Sequence, residues 1–246
     1  MLQRAFLSLF FLAAACRAGS ELWSLQEGAL RPYLLPENHP AKPILDRIFK
    51  DVHSSYSIET MKQAGFIAPQ LRKWTHVVVT RHPDLSGYVI KAYMDTYGYH
   101  QEQPAYKHWV KRIQGARLLR TLIQKLEAEN TFKVPKKWIY LLPGKAKSFN
   151  HCVLIEEDMH ILRRSENKKM WASEAVTEET LELLARLLQK GGLRDCTKPS
   201  NIPFARDGKI AFIDTETHGS WPIRYHRLTP ALSSKNQRYW KKLSPQ

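Results

Sequence analysis

The sequence predicts an α+β domain, because strand-like and helix-like segments follow one another without strict alternation. Two runs rich in β-branched and aromatic residues, at residues 75–80 and 88–93, flank a turn cluster of Pro, Asp, Ser and Gly. That pattern predicts a hairpin. A long segment with apolar residues at helical spacing follows at residues 104–128. Further strand-like runs, a second helix and a small β-hairpin complete the predicted order.

The segment at residues 104–128 is the longest predicted helix. Pro104 suits the first turn of a helix, where its missing N–H costs nothing. Basic residues occupy the other faces and are interpreted as a solvated surface. Apolar residues form one stripe at helical spacing, namely Trp109, Ile113, Ala116, Leu119, Leu122, Ile123 and Leu126.

The remaining elements are predicted from shorter patterns. Thr177 is a candidate N-cap for the second helix, and Gly191 with Gly192 is its stop signal. The predicted helices lie at residues 41–54, 177–190 and 234–242, and the predicted strands at residues 134–142, 152–156, 201–204 and 209–213, the last two as a hairpin.

The first twenty residues predict a secretory signal, so the protein is expected to be exported. Arg4 supplies a positive charge before an apolar run at residues 5–15, and small residues follow. A lipid anchor on Cys16 is one alternative, and plain cleavage or a retained N-terminal anchor are others. Beyond this segment the only cysteines are Cys152 and Cys196, which either pair or stay as buried thiols.

The chain of 246 residues carries a formal net charge of +15. Such a charge favours anionic partners: a nucleotide, a phosphorylated ligand or an acidic surface. Membrane association through the N-terminus is a further possibility. No sequence-specific nucleic-acid motif accompanies the charge, which argues against a dedicated nucleic-acid reader.

Four polar residues have the types that phosphoryl transfer requires. That reaction uses a Lys on the nucleotide phosphates, an Asp and an Asn on Mg²⁺, and an Asp that orients the acceptor hydroxyl. Lys91 lies on a predicted strand, facing opposite to Ile90. Asp214 ends an apolar strand, while Asn201 and Asp195 precede it in a polar loop.

At these residues the chain resembles the protein-kinase-like superfamily. The similar segments are Val-Ile-Lys at 89–91, Leu-Arg-Asp at 193–195, Lys-Pro-Ser-Asn-Ile at 198–202 and Phe-Ile-Asp-Thr-Glu at 212–216. The resemblance is closer to aminoglycoside-kinase-like, choline-kinase-like or pseudokinase members than to typical eukaryotic protein kinases. It covers about residues 66–216, in order along the chain.

The resemblance implies a divergent two-lobed fold with a short C-terminal lobe, and ATP and Mg²⁺ as cofactors. After the signal at 1–20 and an N-terminal extension at 21–65, residues 66–160 would form the N-lobe-like sheet with its long helix. Residues 161–246 would form a reduced C-lobe. The implied roles are Lys91 on phosphate, Asn201 and Asp214 on the nucleotide and its metal, Asp195 as catalytic base, and Glu157 within an adenine-facing hinge at 154–159.

Several departures from the family pattern predict a degenerate site. No Gly-x-Gly-x-x-Gly precedes Lys91, and the spacing from Asp195 to Asn201 is one residue longer than usual. The long helix offers Gln114 and Gly115 where the family carries a Glu. The predicted function is therefore an exported kinase-like protein with weak or absent phosphotransferase activity. The alternatives are an active ATP-dependent phosphotransferase on a small-molecule or protein hydroxyl, and a basic binding module unrelated to kinases.

Overall fold

The computed structural model describes residues 28–50, 57–72, 77–94, 104–143 and 150–244. The predicted signal segment at 1–20, with Cys16, lies outside these residues. Within the described ranges, none of the helices combines the length and apolar character needed to cross a bilayer.

The described helices and strands follow the predicted mixture of α and β. The helices are α1 (Lys42–Ile48), α2 (Ile58–Gln63), α3 (Ala105–Lys125), α4 (Arg164–Trp171), α5 (Glu178–Gly191) and α6 (Ser234–Leu243). The strands are β1 (Ile67–Arg72), β2 (Val77–Arg81), β3 (Tyr88–Tyr93), β4 (Phe132–Lys133), β5 (Lys137–Leu141), β6 (Cys152–Glu157) and β7 (Ile210–Ala211). Short 3-10 turns span Arg31–Tyr33, Tyr225–Arg227 and Thr229–Ala231.

Five strands form an antiparallel sheet in the order β1-β2-β3-β6-β5. The predicted hairpin is β2 and β3, in which Val79 lies opposite Lys91. Strand β6 then pairs with both β3 and β5, so that it occupies an inner position of the sheet. The α+β prediction is confirmed.

The two faces of this sheet pack against different helices. Because successive residues of a strand point to opposite faces, Ile90 and Tyr93 belong to different apolar clusters. The cluster that holds Ile90 includes Leu45 of α1, Phe49 directly after α1, and Met61 of α2. The cluster that holds Tyr93 includes Trp109 and Ile113 of α3. Lys91 therefore faces α3, as the sequence predicts.

A third apolar cluster joins the second half of α3 to α5 and α6. Its largest buried side chains are Trp171, Phe212 and Trp240. The Thr177 hydroxyl accepts a hydrogen bond from the Thr180 backbone N–H at 3.1 Å, which confirms the predicted N-cap of α5. Gly192 ends the helix in the left-handed region.

The predicted hairpin at residues 201–204 and 209–213 is present in the described chain, although it is irregular. Phe204 and Ile210 form an antiparallel bridge, and three backbone hydrogen bonds flank it: the Ala205 N–H to the Lys209 carbonyl oxygen at 2.8 Å, the Ala211 N–H to the Pro203 carbonyl oxygen at 2.8 Å and the Ile213 N–H to the Asn201 carbonyl oxygen at 3.1 Å. Strand β7 also pairs in parallel with β4. The Phe204 N–H donates to Asn167 Oδ1 at 2.9 Å. Asn167 lies on α4, a short polar helix that the sequence reading missed.

The two cysteines of the described chain are buried free thiols. Burial raises the pKa of both Cys152 and Cys196. The thiol of Cys196 donates to the Asp214 carbonyl oxygen at 3.1 Å, so it contributes to the position of the segment that contains Asp214.

The close approach of α3 to the chain after β7 gives a testable prediction. A Cβ at Gly115 would lie 2.0 Å from the Thr215 carbonyl oxygen. We expect Gly115→Ala to lower the free energy of unfolding by about 1–3 kcal/mol, by overpacking. Helix propensity alone favours Ala over Gly by about 1 kcal/mol. Urea denaturation measures the sign, and a stabilised variant would contradict the described packing.

Gly28→Ala is the matched control for this substitution. No heavy atom lies within 4 Å of the Cβ that it would add. Its free energy of unfolding should therefore stay within about 0.5 kcal/mol of the wild-type value.

Candidate functional site

Lys91 is buried and forms an ion pair within the sheet. Its Nζ lies 2.8 Å from Glu156 Oε1, and it donates to the Ile213 carbonyl oxygen at 3.0 Å. The register explains the pair: Lys91 lies opposite Leu154, so Glu156 is its diagonal neighbour on the same face of β6. The carboxylate partner of this lysine thus comes from a strand and not from the long helix.

Lys137 is a second buried lysine at the same place, and the sequence reading missed it. It lies directly opposite Glu156 in the β5–β6 register. Its Nζ is 3.3 Å from Glu156 Oε2 and donates to the Ile213 carbonyl oxygen at 3.1 Å. Its side chain is completely buried. The signal that could have found it is a lysine at the start of an otherwise apolar strand.

Burial and the neighbouring charges shift the pKa values of Glu156 and Lys137. Burial alone would raise the pKa of Glu156, but the charges of Lys91 and Lys137 bring it below its ordinary value. Burial lowers the pKa of Lys137 to about 8, with Glu156 acting in the opposite direction. Glu156 is therefore ionised at neutral pH.

Arg112 on α3 approaches the segment that follows β7. Its Nη1 lies 3.2 Å from Asp214 Oδ1, and its Nη2 donates to Glu216 Oε2 at 2.6 Å. The Arg112 side chain is only 6% exposed. Burial disfavours its charge, but Asp214 and Glu216 outweigh that cost and raise its pKa.

Asp214 is strongly acidic in this environment. Burial would raise its pKa, but Arg112, followed by Lys91 and Lys137, lowers it to about 2. The side chain nevertheless keeps 35% of its surface exposed. Glu216 also has a lowered pKa: burial opposes the shift, and His108 and Arg112 produce it.

Six charged side chains thus form what we call the charge cluster. Three are cations and three are carboxylates, so their formal charges cancel: Lys91, Lys137, Arg112, Glu156, Asp214 and Glu216. The Thr215 hydroxyl donates to the Arg112 carbonyl oxygen at 2.6 Å. His108 Nδ1 lies 2.7 Å from Glu216 Oε1. The segment at 213–216 is therefore tied to both the sheet and α3.

Asp195, the predicted catalytic base, is paired with two arginines from the chain after β7. Its Oδ1 accepts from Arg227 Nη1 at 2.6 Å and from Arg224 Nη1 at 3.4 Å. No sequence signal linked these arginines to Asp195, because they belong to an irregular segment far along the chain.

Asn201 lies beside the segment that leads from β7 to Asp214. Its carbonyl oxygen accepts from the Ile213 N–H at 3.1 Å. Its Nδ2 donates to the Asp195 carbonyl oxygen at 3.0 Å. The amide side chain therefore supports the loop between Asp195 and Asn201.

Glu157, the predicted hinge residue, ends β6. Its Oε2 accepts from the Lys136 backbone N–H at 2.8 Å, and its own N–H donates to the Lys136 carbonyl oxygen at 3.0 Å. Both groups join β6 to the start of β5.

The inner face of α3 carries a cation where the family resemblance asks for a carboxylate. Gln114 faces outward and donates to the Tyr33 hydroxyl at 2.9 Å. Gly115 packs against the Thr215 backbone. Arg112, one helical turn earlier than Ala116, is the charged residue of this face. The spacing of the apolar residues located the inner face of the helix. From the sequence alone, however, an arginine is interpreted as a solvent-exposed residue.

In this arrangement the residues do not fit a Mg²⁺ ion. A magnesium site needs carboxylate oxygens with open positions and several water ligands. Asp214 instead faces a guanidinium, and no group of three or more His, Cys, Asp and Glu suited to a metal occurs among the described residues. The cluster has the charge balance of a structural network.

Comparisons with known proteins do not assign a family. No family model and no curated protein matches the chain. Two of the solved structures that it resembles are an erythromycin complex of Rv3197 from Mycobacterium tuberculosis and the MAP kinase LmaMPK10 from Leishmania major.

Both structural likenesses are loose. Each has 14% identity and a TM-score of 0.33. The matches cover 87% of this chain and 64% of the Mycobacterium protein, and 71% of this chain and 52% of the kinase. The chain therefore spans less than two thirds of either structure, and the likeness to kinase-like folds is weak.

Removal of Arg112 should lower the free energy of unfolding, because the charges of the cluster would no longer balance. Arg112→Met leaves Asp214 and Glu216 near α3 without their main cation. We expect a loss of about 3 kcal/mol in the free energy of unfolding, the lower end for a buried pair, because Asp214 is partly exposed. Adding Asp214→Asn should recover part of that loss, because one uncompensated charge is removed.

Arg206→Met is the matched control, because this arginine is exposed. Its effect should stay within about 0.5 kcal/mol. Equal losses in the two arginine variants, or a fully additive double variant, would show that Arg112 and Asp214 do not interact. Chemical denaturation near neutral pH measures five proteins: wild type, Arg112→Met, Asp214→Asn, the double variant and Arg206→Met.

Proposed function

We propose that the protein is a divergent, two-lobed kinase-like binding protein without phosphotransferase activity. The observation that carries the proposal is the pairing of Arg112 with Asp214 and Glu216. The segments at 89–91, 193–202 and 212–216 support the kinase-like part, because they occur in the order that the family requires. The charge cluster supports the loss of catalysis.

The chemistry of phosphoryl transfer gives the reason. Catalysis depends on metal ions that bridge the phosphates, and these need carboxylates whose charge is available. Here the negative charge of Asp214 is matched by Arg112 at 3.2 Å. Opening the pair to admit a metal would leave a guanidinium that is 6% exposed with Glu216 as its one remaining paired carboxylate, and it would bring a divalent cation next to that guanidinium, which is unfavourable.

Lys91 and Asp195 are also bound by partners within the protein. The Lys91 ammonium donates to the Ile213 carbonyl oxygen and pairs with Glu156, so its hydrogens point into the protein. Asp195 Oδ1 carries two guanidinium contacts, which occupy an oxygen that a substrate hydroxyl would need. Each predicted catalytic group thus has a structural partner.

A binding role follows from the surface charge. A protein with a net charge of +15 attracts anionic partners over several ångströms. The proposal includes export, on the pattern of residues 1–20, and therefore a partner met along or beyond the secretory pathway.

ATP titration with and without Mg²⁺ tests the proposal. We expect Mg²⁺ to leave the affinity of the wild-type protein for ATP unchanged, and Asp214→Ala to have no effect on that affinity. Asp207→Ala is the matched control, because Asp207 is an exposed carboxylate paired with Lys133. Calorimetry at millimolar ATP gives the readout.

The same titration can also contradict the proposal. Mg²⁺-dependent binding that Asp214→Ala abolishes and Asp207→Ala preserves would establish a metal-nucleotide site. The active phosphotransferase would then replace the binding protein as the better account.

A further inference from the structure

A groove with basic walls lies between the last turns of α3 and α5. Its volume is about 400 Å³, and five side chains line it: Leu122, Lys125, Leu126, Arg186 and Lys190. The two leucines are half-buried, and the three cations are exposed. The groove therefore has an apolar component flanked by positive charge.

The three cations differ from those of the charge cluster because they have no partners within the described part of the chain. Lys125, Arg186 and Lys190 form no ion pair and donate no side-chain hydrogen bond to any residue that the structure describes. The lining also contains no acidic residue. Basic residues in the last turn of a helix interact favourably with its dipole, but that contact leaves their hydrogens open to a ligand.

We propose that this groove binds an acidic segment of a partner protein, with an apolar side chain of that segment on Leu122 and Leu126. The proposal rests on the binding function proposed above, and it names the surface and the class of partner. The partner's carboxylates would pair with Lys125, Arg186 and Lys190.

The position of the groove favours a peptide over a compact phosphate. Phosphate sites commonly use helix N-termini, whose N–H groups point at the anion. Here α3 ends at Lys125 and α5 ends at Gly191, so the groove lies at the C-terminal ends of two helices, which are the negative ends of their dipoles. That end of a helix disfavours a concentrated dianion. Carboxylates spaced along a peptide can instead meet the exposed cations one at a time.

The spacing of the lining residues also fits an extended or helical segment. Leu122, in the last turn of α3, and Leu126, directly after that helix, lie four residues apart, as do Arg186 and Lys190 on α5. Residues at this spacing share one helix face. An apolar row and a basic row therefore run along neighbouring helices. A concave groove accommodates a protruding side chain, which a peptide offers and a flat membrane surface does not.

Fluorescence anisotropy with a labelled peptide tests the proposal on the full chain. The probe has pairs of Glu separated by single Leu residues. We expect the triple variant Lys125→Glu, Arg186→Glu and Lys190→Glu to bind it about tenfold or more weakly than wild type, because each exposed charge pair contributes up to about 1 kcal/mol. Circular dichroism confirms that the variant is folded.

The matched control reverses three exposed cations elsewhere, Lys168→Glu, Lys169→Glu and Lys241→Glu, with the same change in net charge. It should bind the probe within about threefold of wild type, a difference below about 1 kcal/mol. A probe with Gly in place of Leu should bind wild type more weakly, because it lacks the contact with Leu122 and Leu126.

Several outcomes would overturn the proposal. Equal weakening in the two triple variants would show attraction by net charge alone, and no binding by wild type would show that the groove does not take acidic peptides. Competition by inorganic phosphate at the same ionic strength would indicate a compact anion instead, and binding only to anionic vesicles would indicate a membrane. None of these variants alters Arg112 or Asp214. The peptide experiment can therefore contradict the groove proposal without affecting the result of the ATP titration, which tests the proposed function.

Discussion

The need to neutralise three buried cations determines the structure around the candidate site. Lys91 and Lys137 project from neighbouring positions of one sheet face, and Arg112 approaches the same region from α3. A charge in a protein interior is tolerated only when it is paired and hydrogen-bonded. The carboxylates of Glu156 and Asp214 supply that pairing, and the carbonyl of the residue before Asp214 accepts from both lysines. Sheet, helix and the chain after β7 are therefore joined by one electrostatic network.

This network accounts for a polar segment inside a fold that is otherwise built from apolar clusters. Three apolar clusters hold the helices against the sheet and against one another. The residues at 213–216 contact both the sheet and α3 and would be costly to bury without compensation. The Ile213 carbonyl, the Thr215 hydroxyl and the Glu216 carboxylate all form hydrogen bonds in the network. The same contacts that stabilise the segment leave Asp214 with a cation beside it, which is the physical basis of the proposed loss of catalysis.

Much of the fold could be predicted from the sequence, whereas the partners within the site could not. Periodicity located α3 and the β2–β3 hairpin, because packing against an apolar core leaves a clear pattern. The facing of Lys91 followed from strand alternation. The pairing of Lys91 with Glu156 depends on the β3–β6 register, which sequence spacing does not determine. The position of Arg112 was missed because a lone arginine among apolar residues has no local signature, and its partners lie about a hundred residues further along the chain.

The most direct measurement is the pKa of Asp214, by carbon-13 NMR of its side-chain carboxyl during a pH titration. If Arg112 and the two lysines surround it, the pKa should be about 2 in the wild-type protein. Removing the guanidinium in Arg112→Met should then move the pKa towards the ordinary value near 4, which is about 3.9 for an unperturbed Asp. A wild-type pKa at or above that ordinary value, unchanged by Arg112→Met, would mean that the ion pair does not exist. The charge cluster would then give no physical basis for the proposed loss of catalysis.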